Sequence, residues 1–256
     1  MPELPDLAVM AINLERELKD KTLKSLTLHV DRKNNVPEAK LQSALVGHKI
    51  KSVSREGKEL RLVIGKESLG LHLMLHGELK FIKTGDEVKF PILQLDFVGE
   101  SLYMTDWQKQ ATPTLNPEVS NVPDALGINQ NIFSELLAKK KTDIKTLLLD
   151  QKSIRGIGNA YADEILYDAG ISPHSISNAI PSKLVEALLN SIKAVLTDAV
   201  KNIYKSSLGQ LTGENREFMK IHLPKTEKTF KDETIIVDKK GARKSYYVDS
   251  QKVFKW

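Results

Sequence analysis

Two short stretches carry residue types that could do chemistry. The chain opens Met1-Pro2-Glu3-Leu4-Pro5-Asp6. Removal of Met1 would make Pro2 a terminal secondary amine with a carboxylate, Glu3, beside it. In mid-chain, Gly156 and Gly158 precede Asn159 in "IRGIGNAYADEIL". Glycines there let the backbone come close to a phosphate. The N-terminus of a following helix supplies free N–H groups and positive potential, and Asn159 adds an amide at that end. The same pattern also serves as a plain turn between two helices. A dinucleotide-binding loop is disfavoured, because Tyr161 occupies the third glycine position and no strand precedes the loop.

Other chemistries are excluded or unsupported. The chain has no cysteine, so disulfides, thiolate nucleophiles and cysteine-based zinc sites are ruled out. The six histidines (29, 48, 72, 76, 174 and 222) show no metal-ligand spacing. His72 and His76 read as core or surface residues. No metal and no cofactor are expected. No apolar run is long enough to span a bilayer, and no basic region precedes an apolar stretch at the N-terminus. The expectation is a cytoplasmic monomer with no membrane contact. The net charge is +5. Residues 201–256 hold 13 Lys/Arg against 7 Asp/Glu, a net of +6, so the whole of the excess lies in the last quarter and the rest is close to neutral. That fits a polyanion partner, and equally a lysine-rich solvated face.

The elements that must position these residues follow from periodicity. Leu7, Met10, Ala11, Leu14 and Leu18 recur at helical spacing. Pro5 is tolerated in a first turn, and Asp6 favours the positive end of the helix. Short alternating segments then run to residue 111 and predict a β-sandwich. Residues 112–131 are rich in Pro, Asn and Ser and read as a linker. Residues 132–225 are helical, with one helix ending near Gln151 and the next starting at Asn159. Residues 226–256 return to strands about "KKGA", a hairpin turn. The expected fold is α+β and multidomain. It comprises an N-terminal helix with a β-sandwich, a helical domain and a terminal β-hairpin.

"PELPD" at the N-terminus and "LLDQKSIRGIGNAYADEIL" in mid-chain, in that order, resemble the formamidopyrimidine-DNA glycosylase / endonuclease VIII family. The likeness covers nearly the whole chain. The second stretch is similar to that family's helix–two-turn–helix motif. The resemblance implies that Pro2 is the nucleophile, Glu3 the acid and Lys58, in "REGKELRL", a cation near the phosphate or the leaving base. It implies that Asn159 and Arg243 hold phosphate, the latter from the tip of a C-terminal finger. The chemistry suits the residue types. An α-amino group has a pKa of about 8 against ~10.4 for lysine, so part of it is free to attack at neutral pH. A secondary amine can still form a cationic iminium. Burial of a carboxyl favours the protonated form that an acid needs. The target nucleotide must leave the stack.

The chain also departs from the family pattern. Leu75, in "GLHLMLHGELKF", sits where the family has a void-filling Met or Leu. The family's DPRRFG loop, whose arginine contacts the orphaned base and whose phenylalanine wedges the stack, is replaced by "DWQKQA", residues 106–111. Gln108 stands for the arginine and Gln110 for the phenylalanine, while Lys109 keeps one positive charge. Trp107 has the size of a wedge, although tryptophan more often serves in a core. The four finger positions that would carry thiolates are Lys228, Lys231, Val248 and Gln251, so a zincless finger is implied. Apolar pairs among Ile235, Ile236, Tyr246, Tyr247 and Val248 would have to hold it. Val253, Phe254 and Trp256 are candidates to dock it. The segment "KSSLGQLTGENREFMKIH" is short for a branch that caps 8-oxoguanine with a loop.

The resemblance therefore implies a bifunctional DNA glycosylase and abasic-site lyase of base excision repair, associated with the bacterial nucleoid. Its partner would be double-stranded DNA with oxidised or abasic lesions. Oxidised pyrimidines and formamidopyrimidines would be removed, and the strand nicked by β,δ-elimination. The alternatives are a non-catalytic protein binding damaged or abasic DNA, and an RNA- or ribosome-associated module. Neither of those needs Pro2, Glu3 and Lys58.

Overall fold

The computed structural model describes residues 1–83, 86–207, 211, 214–241 and 243–256. It divides into two compact units, Met1–Val119 with Ile203–Glu214 and Ser120–Asn202 with Asn215–Trp256.

In the first unit, helix α1 (Leu4–Leu18) buries Leu7, Met10, Leu14 and Leu18 along one face. Its start is set by Glu3 at the N-cap and Pro5 in the first turn. Strand β1 (Ser25–Leu28), helix α2 (Glu38–Leu45) and strands β2 (Ile50–Glu56) and β3 (Glu59–Ile64) come next. Strands β4 (Glu67–His72), β5 (Glu78–Lys83), β6 (Pro91–Asp96), β7 (Glu100–Thr105) and β8 (Thr112–Leu115) complete the unit. They form two antiparallel four-stranded sheets, ordered β1-β6-β7-β5 and β2-β3-β4-β8. Alternate residues of both sheets, among them Leu60, Leu62, Leu71, Leu93, Leu102 and Met104, share one apolar core with α1.

The structure differs from the local sequence pattern in three places. Helix α2 interrupts the run of short alternating segments. It is short and buries only Leu41 and Leu45, so its periodicity spans a single turn. Residues 112–115, expected to open a linker, form β8 against β4. Pro113 is tolerated because β8 lies at a sheet edge. "GLHLMLHG" is not one strand. β4 ends at His72, and a tight turn closes with Gly77 N–H donating to Leu73 O at 2.8 Å.

The second unit contains helices α3 (Gln130–Lys139), α4 (Ile144–Leu149) and α5 (Asn159–Asp168), together with α6 (Ser182–Ser206) as far as Asn202. Asn129 caps α3 through Ile132 N–H, and Asp143 caps α4 through Thr146 N–H. The connection between α4 and α5 is the helix–two-turn–helix. Gln151 holds it from within. Its amide donates to Ile157 O at 2.8 Å and accepts from Gly156 N–H at 2.9 Å. Gly156 has φ 102°, a region that disfavours side chains. Asp150 accepts from Ser153 Oγ at 2.6 Å, and that bond holds its carboxyl below the usual range. Burial opposes the shift, while Lys152 N–H and Lys140 reinforce it. Arg155 N–H donates to Pro123 O, and its Nε to Val122 O at 2.8 Å. The later part of the expected linker is therefore tied to this turn.

Strands β9 (Ile236–Lys240) and β10 (Arg243–Tyr247) form the finger hairpin, with Tyr246 opposite Val237 and Tyr247 opposite Ile236. Ile235, Tyr246 and Val248 bury themselves with Ile221 in a small apolar cluster.

Candidate functional site

The first unit brings Pro2 and Glu3 to the start of α1. Glu3 is 5% exposed and forms a capping box with Asp6. Glu3 N–H donates to Asp6 Oδ2 at 2.8 Å, and the Glu3 carboxylate accepts from Asp6 N–H. Asp6 therefore fixes the path by which the chain enters the helix. The terminal amine of Met1 pairs with Glu214. Pro2 borders a cavity of about 290 Å³ shared with Leu75, His76, Gly77, Glu78, Trp107 and Glu214.

Lys58 lies in the two-residue turn between β2 and β3, after Gly57 at φ 58°. Arg55 Nη1 donates to Gly57 O at 3.0 Å and braces that turn. His72, at the end of β4, is not a neutral bystander to it. Burial lowers its pKa, Glu59 raises it, and Lys58 lowers it again, with a net depression. Its Nδ1 accepts from Met74 N–H at 3.2 Å, so the ring is a neutral acceptor at that atom.

Two loops present the remaining side chains of this unit. The Leu73–Gly77 turn carries Leu75, 54% exposed, at its tip. A Cβ on Gly77 would meet Leu73 O at 2.2 Å, so only glycine closes this turn. In the loop 106–111, Asp106 is buried and its carboxylate accepts from the N–H groups of Gln108, Gln110 and Ala111 at 2.9, 2.7 and 2.8 Å. Lys109 takes φ 56° there. The Gln110 amide pairs with Lys33 and donates to Gln108 O at 3.1 Å. Trp107 is not a core residue: it is 58% exposed, and its ring stands 5.0 Å from that of His76.

In the second unit Asn159 is the first residue of α5, with Gly158 as its cap. Asn159 Nδ2 donates to Lys244 O at 3.0 Å. Arg243 is exposed at the start of β10. It borders a cavity of about 210 Å³ with Lys145, His174, Asp238 and Ser245. Ala242 at the tip lies outside the described residues, as do 208–210, 212 and 213 of the segment expected to be too short for a capping loop.

Sequence reasoning missed the groups that hold the finger. Lys145 Nζ lies 2.7 Å from Asp163 Oδ1 and donates to Lys244 O at 2.8 Å and Ser245 Oγ at 3.1 Å. Asp163 Oδ2 is 2.8 Å from His222 Nδ1, and the His222 ring stands 4.5 Å from that of Tyr246. Glu164 accepts from the N–H groups of Lys220, Ile221 and His222 at 2.8–3.0 Å. Two of the four positions lacking thiolates do other work. Val248 is buried in the apolar cluster. Gln251 donates to Ile171 O at 2.8 Å and accepts from Val248 N–H at 2.9 Å. The other two are Lys228, which pairs with Asp232 at 2.7 Å, and Lys231, whose Nζ stands over the Phe230 ring. The expected docking by Val253 and Trp256 is corrected. Their side chains are exposed, and the backbone of Lys252 and Phe254 makes the attachment through Ser172, Ser175 and Ile176. The signal for the buried network was a Lys and an Asp on otherwise apolar helix faces, which only burial distinguishes from a solvated pair.

Comparison with known proteins agrees with this arrangement. The formamidopyrimidine-DNA glycosylase N-terminal domain family matches residues 1–112, and the H2TH domain family of the same glycosylase matches residues 121–209. The formamidopyrimidine-DNA glycosylase of Bdellovibrio bacteriovorus is 30% identical over 232 residues, covering 85% of this chain and 86% of that protein. The glycosylase of Lactococcus lactis is 29% identical over 214 residues, or 78% of this chain and 79% of that one. A crystal structure of the Lactococcus lactis enzyme in complex with DNA containing an abasic site superposes with a TM-score of 0.88 at 26% identity. It covers 98% of this chain and 100% of that chain. The chain therefore belongs to the formamidopyrimidine-DNA glycosylase / endonuclease VIII family.

Proposed function

We propose that this chain is a bifunctional DNA glycosylase and abasic-site lyase that removes oxidised bases, with Pro2 as nucleophile. The observation that carries the reading is the setting of Pro2. It borders a cavity of about 290 Å³, and the adjoining carboxyl of Glu3 is buried. The lesion is an oxidised pyrimidine or a formamidopyrimidine in duplex DNA. The protein works as a monomer.

The Pro2 nitrogen acts once Met1 is removed, because an amide nitrogen has no lone pair to give. That lone pair attacks the sugar C1′. The electrons of the glycosidic bond leave with the base, and Glu3 supplies the proton that the base takes up. The C1′–O4′ bond then breaks, the proton that the Pro2 nitrogen loses passes to O4′, and a cationic C1′ iminium remains. The iminium acidifies the C2′ hydrogen, and loss of that proton expels the 3′ phosphate. A second elimination expels the 5′ phosphate, and water then hydrolyses the iminium to release Pro2. Lys58 supplies positive charge beside the phosphate. Asn159, with the glycine turn of Gly156 and Gly158 ahead of it, and Arg243 hold further phosphates. Leu75 fills the space that the extruded nucleotide leaves.

Borohydride reduction tests this. With processed protein and duplex DNA bearing an oxidised pyrimidine, a covalent adduct forms, and Pro2→Gly abolishes it. Protein that retains Met1 binds the duplex and does not cut it. Binding without an adduct from processed protein would leave the non-catalytic reading in its place.

A further inference from the structure

We infer that Trp107 and His76 form an aromatic platform on which the base opposite the lesion stacks, so that this chain tolerates any partner base. The inference rests on the glycosylase reading above. It departs from the family pattern of an arginine that reads the orphaned base and a phenylalanine that wedges the stack.

The two rings come from separate loops, and each loop is closed by its own hydrogen bonds. Asp106 gathers three backbone N–H groups and turns the loop so that the residue following it points outward. The Leu73–Gly77 turn is closed by its own backbone bond and by His72 accepting from Met74 N–H. The result is an indole 58% exposed, tilted 41° to the His76 imidazole at a centroid distance of 5.0 Å. Both rings border the same cavity as Pro2 and Leu75. An aromatic pair left half in water beside the reacting centre matches one occupant: the π-face of a nucleobase. The vacated stack supplies one when a nucleotide leaves it.

Hydrogen-bond readout of that base falls to Gln108, exposed at the arginine position, whose neutral amide replaces the charged fork of a guanidinium. Gln110, at the phenylalanine position, spends its amide on Lys33 and on Gln108 O. The backbone donors of the loop are turned inward to Asp106. Stacking does not distinguish bases, because each has a π-face, whereas one bidentate base contact discriminates by about tenfold to a hundredfold.

The chain has two tryptophans. A Trp256→Phe background therefore leaves Trp107 as the sole indole reporter. Processed protein would be titrated with a duplex holding a tetrahydrofuran abasic analogue opposite 2-aminopurine. Trp107 emission falls on binding and 2-aminopurine emission stays quenched. Trp107→Ala weakens binding about tenfold to a hundredfold and frees the 2-aminopurine emission, while Trp107→Phe retains most of the affinity. Wild-type excision of an oxidised pyrimidine proceeds at the same order of rate opposite A, C, G and T. Unchanged Trp107 emission, or a preference approaching a hundredfold for one partner base, would overturn the platform. If the borohydride adduct still forms in that case, the glycosylase reading stands and only this inference fails. Absence of any adduct removes both.

Discussion

Lys145 Nζ sits 2.7 Å from Asp163 Oδ1, with both side chains buried, and the same ammonium donates to the finger at Lys244 O. One cation thus joins α4, α5 and β10. Breaking a buried pair by removing one partner leaves an unpaired charge, at a cost of about 3–5 kcal/mol. Asp163→Asn or Lys145→Met should lower the melting temperature by several degrees and weaken DNA binding. The double variant Lys145→Met/Asp163→Leu should recover much of the loss in melting temperature. Thermal unfolding monitored by circular dichroism checks both.

The finger should be indifferent to metal. Treatment with a chelator is expected to leave melting temperature and DNA affinity unchanged. Gln251→Ala, by contrast, strands Ile171 O and Val248 N–H in the interior and should cost about 1–3 kcal/mol. Loss of stability on chelation would show that an ion contributes.

His72 gives a pH dependence of definite sign. Its pKa in the folded chain lies below the ordinary 6.5, chiefly through burial. The unfolded chain therefore binds a proton at a pH where the folded one does not. The stability tied to the neutral ring is complete above 6.5 and declines as pH falls from there towards the folded pKa. His72→Gln should flatten that limb of the stability profile. Denaturant midpoints measured across the range for both proteins decide it.

Arg243, exposed at the finger tip, is expected to neutralise one phosphate. Arg243→Ala should weaken binding similarly across DNA sequences. It should also reduce the slope of log affinity against log salt by about 0.9. An unchanged slope would place the finger tip away from the DNA backbone.

Some of this molecule is readable without coordinates. Pro2 and Glu3 are adjacent in the chain, and the pattern of α1 follows them directly, so their proximity is covalent. Gly156, Gly158 and Asn159 are local in the same sense, because a turn and the helix after it depend on near neighbours. Short-range periodicity also predicted the strands of the sandwich and the hairpin about Gly241. It passed over α2, whose two buried leucines make too short a repeat, and β8, whose proline reads as linker until an edge position accommodates it.

What the tertiary structure alone decided are the pairings between residues distant in sequence. Lys145, Asp163, His222 and Ser245 lie on different elements, and each by itself is an ordinary surface residue type. Only burial turns them into a network, because a charge removed from water must find its partners. The same holds for Trp107 and His76. An indole in a loop suits a core or a surface equally, and the sequence determined only that it follows Asp106. The inward turn of the Asp106 carboxylate, and the closure of Gly77 on Leu73, set its ring outward beside an imidazole from another loop.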